Sequence, residues 1–138
     1  MYKKSITFTN FDGESVTKDY YFNLTKAEVV EMQVSAEGGL DKRIQRMSGS
    51  GDQGYIVTTI KDMILRAYGK MTEEGFVKSK EISAAFASTE AYSNFFMELV
   101  ENESEQKKFF LGIMPKEVSA TVKEQFEKIS TPAITEVK

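Results

Sequence analysis

Cysteine and histidine are both absent from the 138 residues. The first absence removes disulfides, thiol nucleophiles and thiolate metal ligands. The second removes the side chain whose ordinary pKa lies nearest neutrality. Together they exclude zinc sites built on imidazole and thiolate, and hydrolases of the Ser-His-Asp or Cys-His type. Any catalysis would fall to carboxylates, lysine or tyrosine. No apolar run approaches the roughly 18 residues of a membrane-spanning helix, so no membrane partner is expected. There is no basic block either: 18 Lys and Arg stand against 21 Asp and Glu, a net charge of −3. Nucleic-acid binding draws on clustered cations that displace phosphate counterions. The nearest approach is Lys42, Arg43 and Arg46 on one polar helix face, and no nucleic-acid partner is expected. The segment SGSGDQG, Ser48 to Gly54, lacks the Gly-Lys-Ser/Thr of a phosphate loop and follows no strand, so it reads as a plain loop.

What is present is ordinary for a soluble globular domain: 41% apolar and 28% charged residues in one domain-sized chain. The opening MYKKSITFTNF has no apolar stretch after its lysines. It alternates instead, which reads as a strand rather than a signal peptide, with a cytosolic protein as the expectation. Strands are expected over 3–11 and 16–22, joined at Asp12-Gly13, whose residues tolerate positive φ. Ile6 and Phe8 share one face of the first strand, and Val16, Tyr20 and Phe22 one face of the second. Of Tyr20 and Tyr21, one face can bury only one, so core plus edge is favoured over a stacking platform. A lone hairpin is marginal in water, so it must pack on helices or pair with another strand.

Thr25 with Glu28 three residues on forms a capping box, and Leu24 with Val29 a hydrophobic staple. The helix so started is expected to stop at Gly38-Gly39, before a short helix over 40–47 carrying Leu40, Ile44 and Met47. The next spans about 55–68, with Ile56, Ile60, Met63, Ile64 and Ala67 in one stripe and Gly69 as its stop. Phe76 and Val77 suggest a short extended segment. Ser79 caps a helix over 80–87 with Ile82, Ala85 and Phe86 inward, and Ser88 or Thr89 caps the next. Ser104 is expected to cap the helix bearing Phe109, Phe110 and Ile113, which Pro115 closes. The fold class is therefore α+β, an N-terminal β-hairpin followed by about six helices in a mostly helical single domain. Residues 1–115 form the compact domain, 116–129 a peripheral or detached helix with Val118, Val122, Phe126 and Ile129 at helical spacing, and 130–138 a disordered tail.

No enzyme motif is found. Glu73, Glu74, Glu98, Glu101, Glu103 and Glu105 lie in polar contexts among lysines, as solvated carboxylates do, and no acids fall at calcium-loop spacing, so no cofactor is expected. The unusual element is TEAYSNFFMELVEN, Thr89 to Asn102. Tyr92, Phe95, Phe96 and Leu99 form one apolar face, and Met97 and Val100 widen it past the arc of roughly 100° that a single core needs. Either the helix is central, covered by the 55–68 and 105–114 helices, or the excess is a surface for another chain.

Several phrases in one order resemble a known family: ITFTNFDGE, DYYFNLTKAEVVEM, EGGL, TIKDMILRAYGK, FVKSKEISAAFASTEAYSNFFMELV and FFLGIMPKE. Across roughly residues 5 to 117 the chain looks like the tail assembly chaperones of long-tailed bacteriophages. The resemblance implies a non-enzymatic protein of the host bacterial cytoplasm, absent from the mature virion. It implies binding to the tape measure protein, which is kept soluble, and delivery of major tail tube protein subunits during tail polymerisation. It implies a short form beside a longer, frameshifted one, with divergence over 116–138, and further partners in both this chain and the longer form. The implied partner-binding residues are Tyr92, Phe95, Phe96, Met97, Leu99 and Val100, as a groove for an apolar helix. A second reading is a structural phage protein, a head–tail connector or minor tail component, which would remain in the virion.

Overall fold

A computed structural model of the chain describes residues 1–34, 42, 43, 46 and 52–118. The expected stop at Gly38-Gly39, most of the 40–47 helix and Ser48–Gly51, and everything beyond Val118, lie outside the described residues. Strand β1, Tyr2–Thr9, and strand β2, Ser15–Phe22, pair antiparallel from Tyr2 opposite Phe22 to Thr9 opposite Ser15. The strands stop short of Phe11, which the sequence had placed in the first of them. The loop between them is stapled by Asn10. Its side-chain oxygen accepts from the Asp12 and Glu14 amides at 3.0 and 2.9 Å, and its own amide donates to the Glu14 carbonyl at 2.8 Å. Gly13 takes the left-handed φ of +82° that this closure requires.

Alternation along the hairpin separates two faces. Tyr2, Lys4, Ile6 and Phe8 of β1 point toward the helices, with Val16, Tyr20 and Phe22 of β2 beside them. The outer face carries a polar ladder in which Ser5 donates to Asp19 at 2.5 Å and the Thr7 and Thr17 hydroxyls meet at 2.8 Å. Tyr20 packs its ring on Phe86, 5.3 Å between centroids, while Tyr21 faces the opposite way.

Helix α1, Lys26–Val34, begins as the sequence predicts. The Thr25 amide donates to Glu28 Oε1 at 2.9 Å and the Glu28 amide to Thr25 Oγ1 at 3.2 Å, with Leu24 and Val29 both buried. Helix α2, Gln53–Ala67, starts at Asp52, whose carboxylate accepts from the Tyr55 amide. Its end differs from expectation. Gly69 is not a helix stop: Tyr68–Thr72 form strand β3, which pairs with β2 through Tyr21 opposite Gly69 and Phe22 opposite Tyr68. Strand β4, Gly75–Val77, folds back on β3, completing an antiparallel sheet of order β1-β2-β3-β4.

Helix α3, Lys80–Ala87, is capped by Ser79, and helix α4, Glu90–Glu101, by Thr89. Within α3 Phe86 is buried and Ile82 half-buried, but Ala85 faces solvent rather than the core. Helix α5, Glu103–Ile113, is capped by Asn102 and not by Ser104: the Asn102 side chain accepts from the Glu105 amide at 3.1 Å. One residue therefore closes α4 and opens α5. The helices cover one face of the sheet, and their buried side chains meet Phe22, whose ring has no exposure. Residues 116–118 are helical after Pro115, and the rest of the expected 116–129 helix lies outside the described residues.

One cation ties these pieces together. Lys78 Nζ, after β4, donates to both Glu28 carboxylate oxygens at 2.6 and 2.7 Å, to the Asn23 carbonyl at 2.9 Å and to the Arg66 carbonyl at 3.0 Å. Burial works to raise the Glu28 pKa, but the hydrogen bonds from Lys78 and Thr25 and the ammonium charge outweigh it and hold the carboxyl below its usual range. A lowered folded-state pKa means stability that is present above the unfolded-state pKa and lost as pH falls through the folded-state one. Thermal melts should therefore decline across the acidic carboxylate range. Lys78→Met should remove that part of the decline while costing about 1–3 kcal/mol at neutral pH, since the carbonyls lose their donor. An unchanged acid slope in Lys78→Met would show that the pair is not its source.

Candidate functional site

Helix α4 occupies the middle of the helical layer. It packs against β1, α2, α3 and α5, which answers much of the excess apolar arc. Successive residues turn by roughly 100°, so four flanks can be distinguished. Ala91, Phe95 and Leu99 point into the core and are sealed, at 0%, 1% and 0% exposure. The Phe95 ring lies 5.2 Å from Phe22 and 5.4 Å from Phe109. On the polar flank, Asn94 donates to the Thr7 carbonyl of β1 at 3.0 Å and Glu98 pairs with Lys4 at 2.7 Å. Lys4 also approaches Glu105 at 3.7 Å. Burial works to lower the Lys4 pKa, yet the Glu98 hydrogen bond and the surrounding negative charge leave it raised.

The opposite flank carries Tyr92, Phe96 and Val100, all half-buried. Tyr92 and Phe96 stack at 5.8 Å and 27°, and Tyr92 meets the buried Phe86 edge-on at 5.7 Å. Beyond them, on the outermost flank, Met97 is 46% exposed. The six residues singled out in the sequence thus divide. Phe95 and Leu99 are core side chains that no partner can reach while the domain is folded. Tyr92, Phe96 and Val100 are half-buried and Met97 is exposed, an apolar edge running from the core outward. The spacing that defines a helix face does not tell which part of a wide face is covered.

The cationic face of Lys42, Arg43 and Arg46 is largely neutralised. Arg43 pairs with Asp62 at 3.2 Å, and Arg46 pairs with Asp52 at 3.3 Å while stacking over the Tyr55 ring at 4.0 Å. Among the described residues no group of three or more acidic side chains is placed to hold a metal ion. No helix among them is long and apolar enough to cross a membrane. Phe11, expected within the first strand, stands instead at the hairpin tip and is fully exposed at 101%. Its neighbours Asn10, Asp12 and Gly13 are turn formers, and an aromatic among them was the available signal.

A family model described as phage tail assembly chaperone covers residues 1–138. No curated protein and no solved structure matches the chain.

Proposed function

The chain belongs to the phage tail assembly chaperone family, and from that premise we propose that it binds the tape measure protein, keeps it soluble, and recruits tail tube subunits as the tail polymerises. The role is non-enzymatic and is played in the host cytoplasm, and the protein leaves before the virion is complete. A tape measure helix exposes apolar stripes until a tube surrounds it, so its chaperone needs a complementary apolar surface in many copies. The observation that carries the reading is the edge of α4, where Met97 stands 46% exposed beside the stacked Tyr92 and Phe96. Methionine and aromatic side chains on an accessible edge suit a partner that must be held and later displaced.

Co-expression with the tape measure protein, followed by size exclusion with light scattering, tests this directly. Co-elution with many copies of this chain per tape measure is expected. A tape measure protein that is soluble alone and does not associate would favour a structural component instead, and such a component would be found in purified virions. Met97→Ser should cost less than about 1 kcal/mol, since the side chain is only about half covered, yet weaken the complex. A Met97→Ser chain that unfolds would make Met97 a core residue, and one that binds normally would move the contact elsewhere.

A further inference from the structure

Between Lys80 and Lys107 the chain carries no lysine or arginine, while Glu81, Glu90, Glu98, Glu101, Glu103 and Glu105 all fall there. The tertiary structure sorts these acids. Glu98 and Glu105 approach Lys4 at 2.7 and 3.7 Å and tie α4 and α5 to β1. Glu90, Glu101 and Glu103 are exposed, and none has an ion-pair partner among the described residues. Glu90 and Glu103 stand in first turns, where a helix N-terminus favours a carboxylate. Glu101 ends α4, whose last turn holds no cation to offset it.

Residues four and seven apart lie over one another on a helix. Glu90 is seven before Met97 and Glu101 four after it, so the exposed methionine stands between two exposed carboxylates on one line of the helix surface. Val100, Phe96 and Tyr92 follow around the other side, half-buried. The edge is therefore an apolar strip with a negative border, on a helix without a single cation. An apolar segment bordered by acids would bring like charges together across such a contact. One bordered by cations would meet opposite charges. The same border disfavours nucleic acid and anionic lipid surfaces.

We infer that the occupant of the α4 edge is an amphipathic helix whose apolar stripe is bordered by lysine or arginine. Met97, Phe96 and Tyr92 take the stripe, and Glu90 and Glu101 take the cations. The inference rests on the tape measure reading above and specifies which stretch of that partner is held, one where basic residues border the stripe. Rim charges of this kind govern partner choice and association rate more than affinity.

Two synthetic helical peptides test it without the tape measure protein. Both carry leucine at i, i+3, i+4 and i+7. One has lysine bordering the stripe, and the other has glutamate at the same positions. Fluorescence anisotropy reads their binding to the full chain. The lysine peptide should bind at least about tenfold tighter at roughly 0.01 M ionic strength, and the advantage should shrink toward 1 M as the Debye length falls from about 30 to about 3 Å. Glu90→Lys with Glu101→Lys should reverse the preference and keep the circular dichroism spectrum, since both side chains are exposed. Glu101→Lys alone should reduce the preference, and it serves if the double variant does not fold. Met97→Ser should weaken both peptides alike. Equal binding by the two peptides, binding by neither, or a preference that survives charge reversal would each overturn the inference. The co-expressed tape measure protein separates this inference from the proposed function. A complex indifferent to salt and to Glu101→Lys would keep the function and overturn the inference. The expected peptide preference with no tape measure complex would keep the inference about the edge and remove the function.

Discussion

Phe22→Ala should cost about 3–5 kcal/mol, the range found for deleting a buried aromatic ring. The position justifies the upper part of that range. Phe22 has no exposure, and its ring lies within 5.2 to 6.2 Å of the rings of Tyr2, Tyr68, Phe86, Phe95 and Phe109. Those partners come from β1, β3, α3, α4 and α5, so no single element can collapse into the space without pulling on the others. A domain of this size holds only about 5–15 kcal/mol in total. Urea unfolding followed by far-ultraviolet circular dichroism should therefore show the midpoint falling by a large fraction. Phe22→Leu should recover much of the loss by refilling part of the volume. A loss below about 1.5 kcal/mol for Phe22→Ala would mean that the sheet and helices do not share this one core.

Gly69→Ala, which adds a single carbon, should cost about 2–3 kcal/mol, at the upper end for overpacking. A Cβ on Gly69 would stand 2.5 Å from Phe76 Cζ, 2.7 Å from the Val77 carbonyl oxygen and 2.8 Å from Lys78 Cγ. The Phe76 ring could swing aside. The Val77 carbonyl is backbone, placed by the pairing of Lys70 with Val77, and Lys78 is held by its bonds to Glu28, Asn23 and Arg66. Relief must therefore come from moving β4 away from β3. Chemical denaturation measures the loss, and hydrogen exchange at the Lys70 amide reports whether the β3–β4 pair has opened. An unchanged melt would show that β4 does not cross Gly69 this closely.

Gly69 marks a place where sequence reasoning stops. Gly69 follows a clean apolar helical stripe, and a glycine there reads as a stop. The strand that begins at Tyr68 is only five residues long and includes Gly69 and Lys70, so it carries no alternation of its own. It exists because the β2 edge at Tyr21 and Phe22 offers backbone partners, a fact of tertiary placement. The cap of α5 failed differently. Asn102 and Ser104 are both good capping residues, and local propensity does not choose between them. Packing does: α5 runs from Glu103 so that Phe109, Phe110 and Ile113 are buried. Lys78 gave no signal at all, because its four acceptor atoms come from two other stretches of chain, Asn23 with Glu28 and Arg66.

What the sequence determined by itself was everything governed within a few residues. The capping box at Thr25 and Glu28, the caps at Ser79 and Thr89, and the positive φ at Gly13 each satisfy backbone groups with nearby side chains or with glycine's freedom, so local order suffices. The α+β class followed from two such periodicities, two residues per repeat and then 3.6. Only the tertiary structure decided how the wide face of α4 is spent. Helical spacing places Phe95, Leu99, Phe96 and Met97 relative to one another, but the axis is free to rotate until neighbours fix it. Here β1 takes Asn94 and Glu98 on one flank, which turns Phe95 and Leu99 inward and leaves Met97 at the surface. Burial is a relation between elements, and a single helix does not contain it.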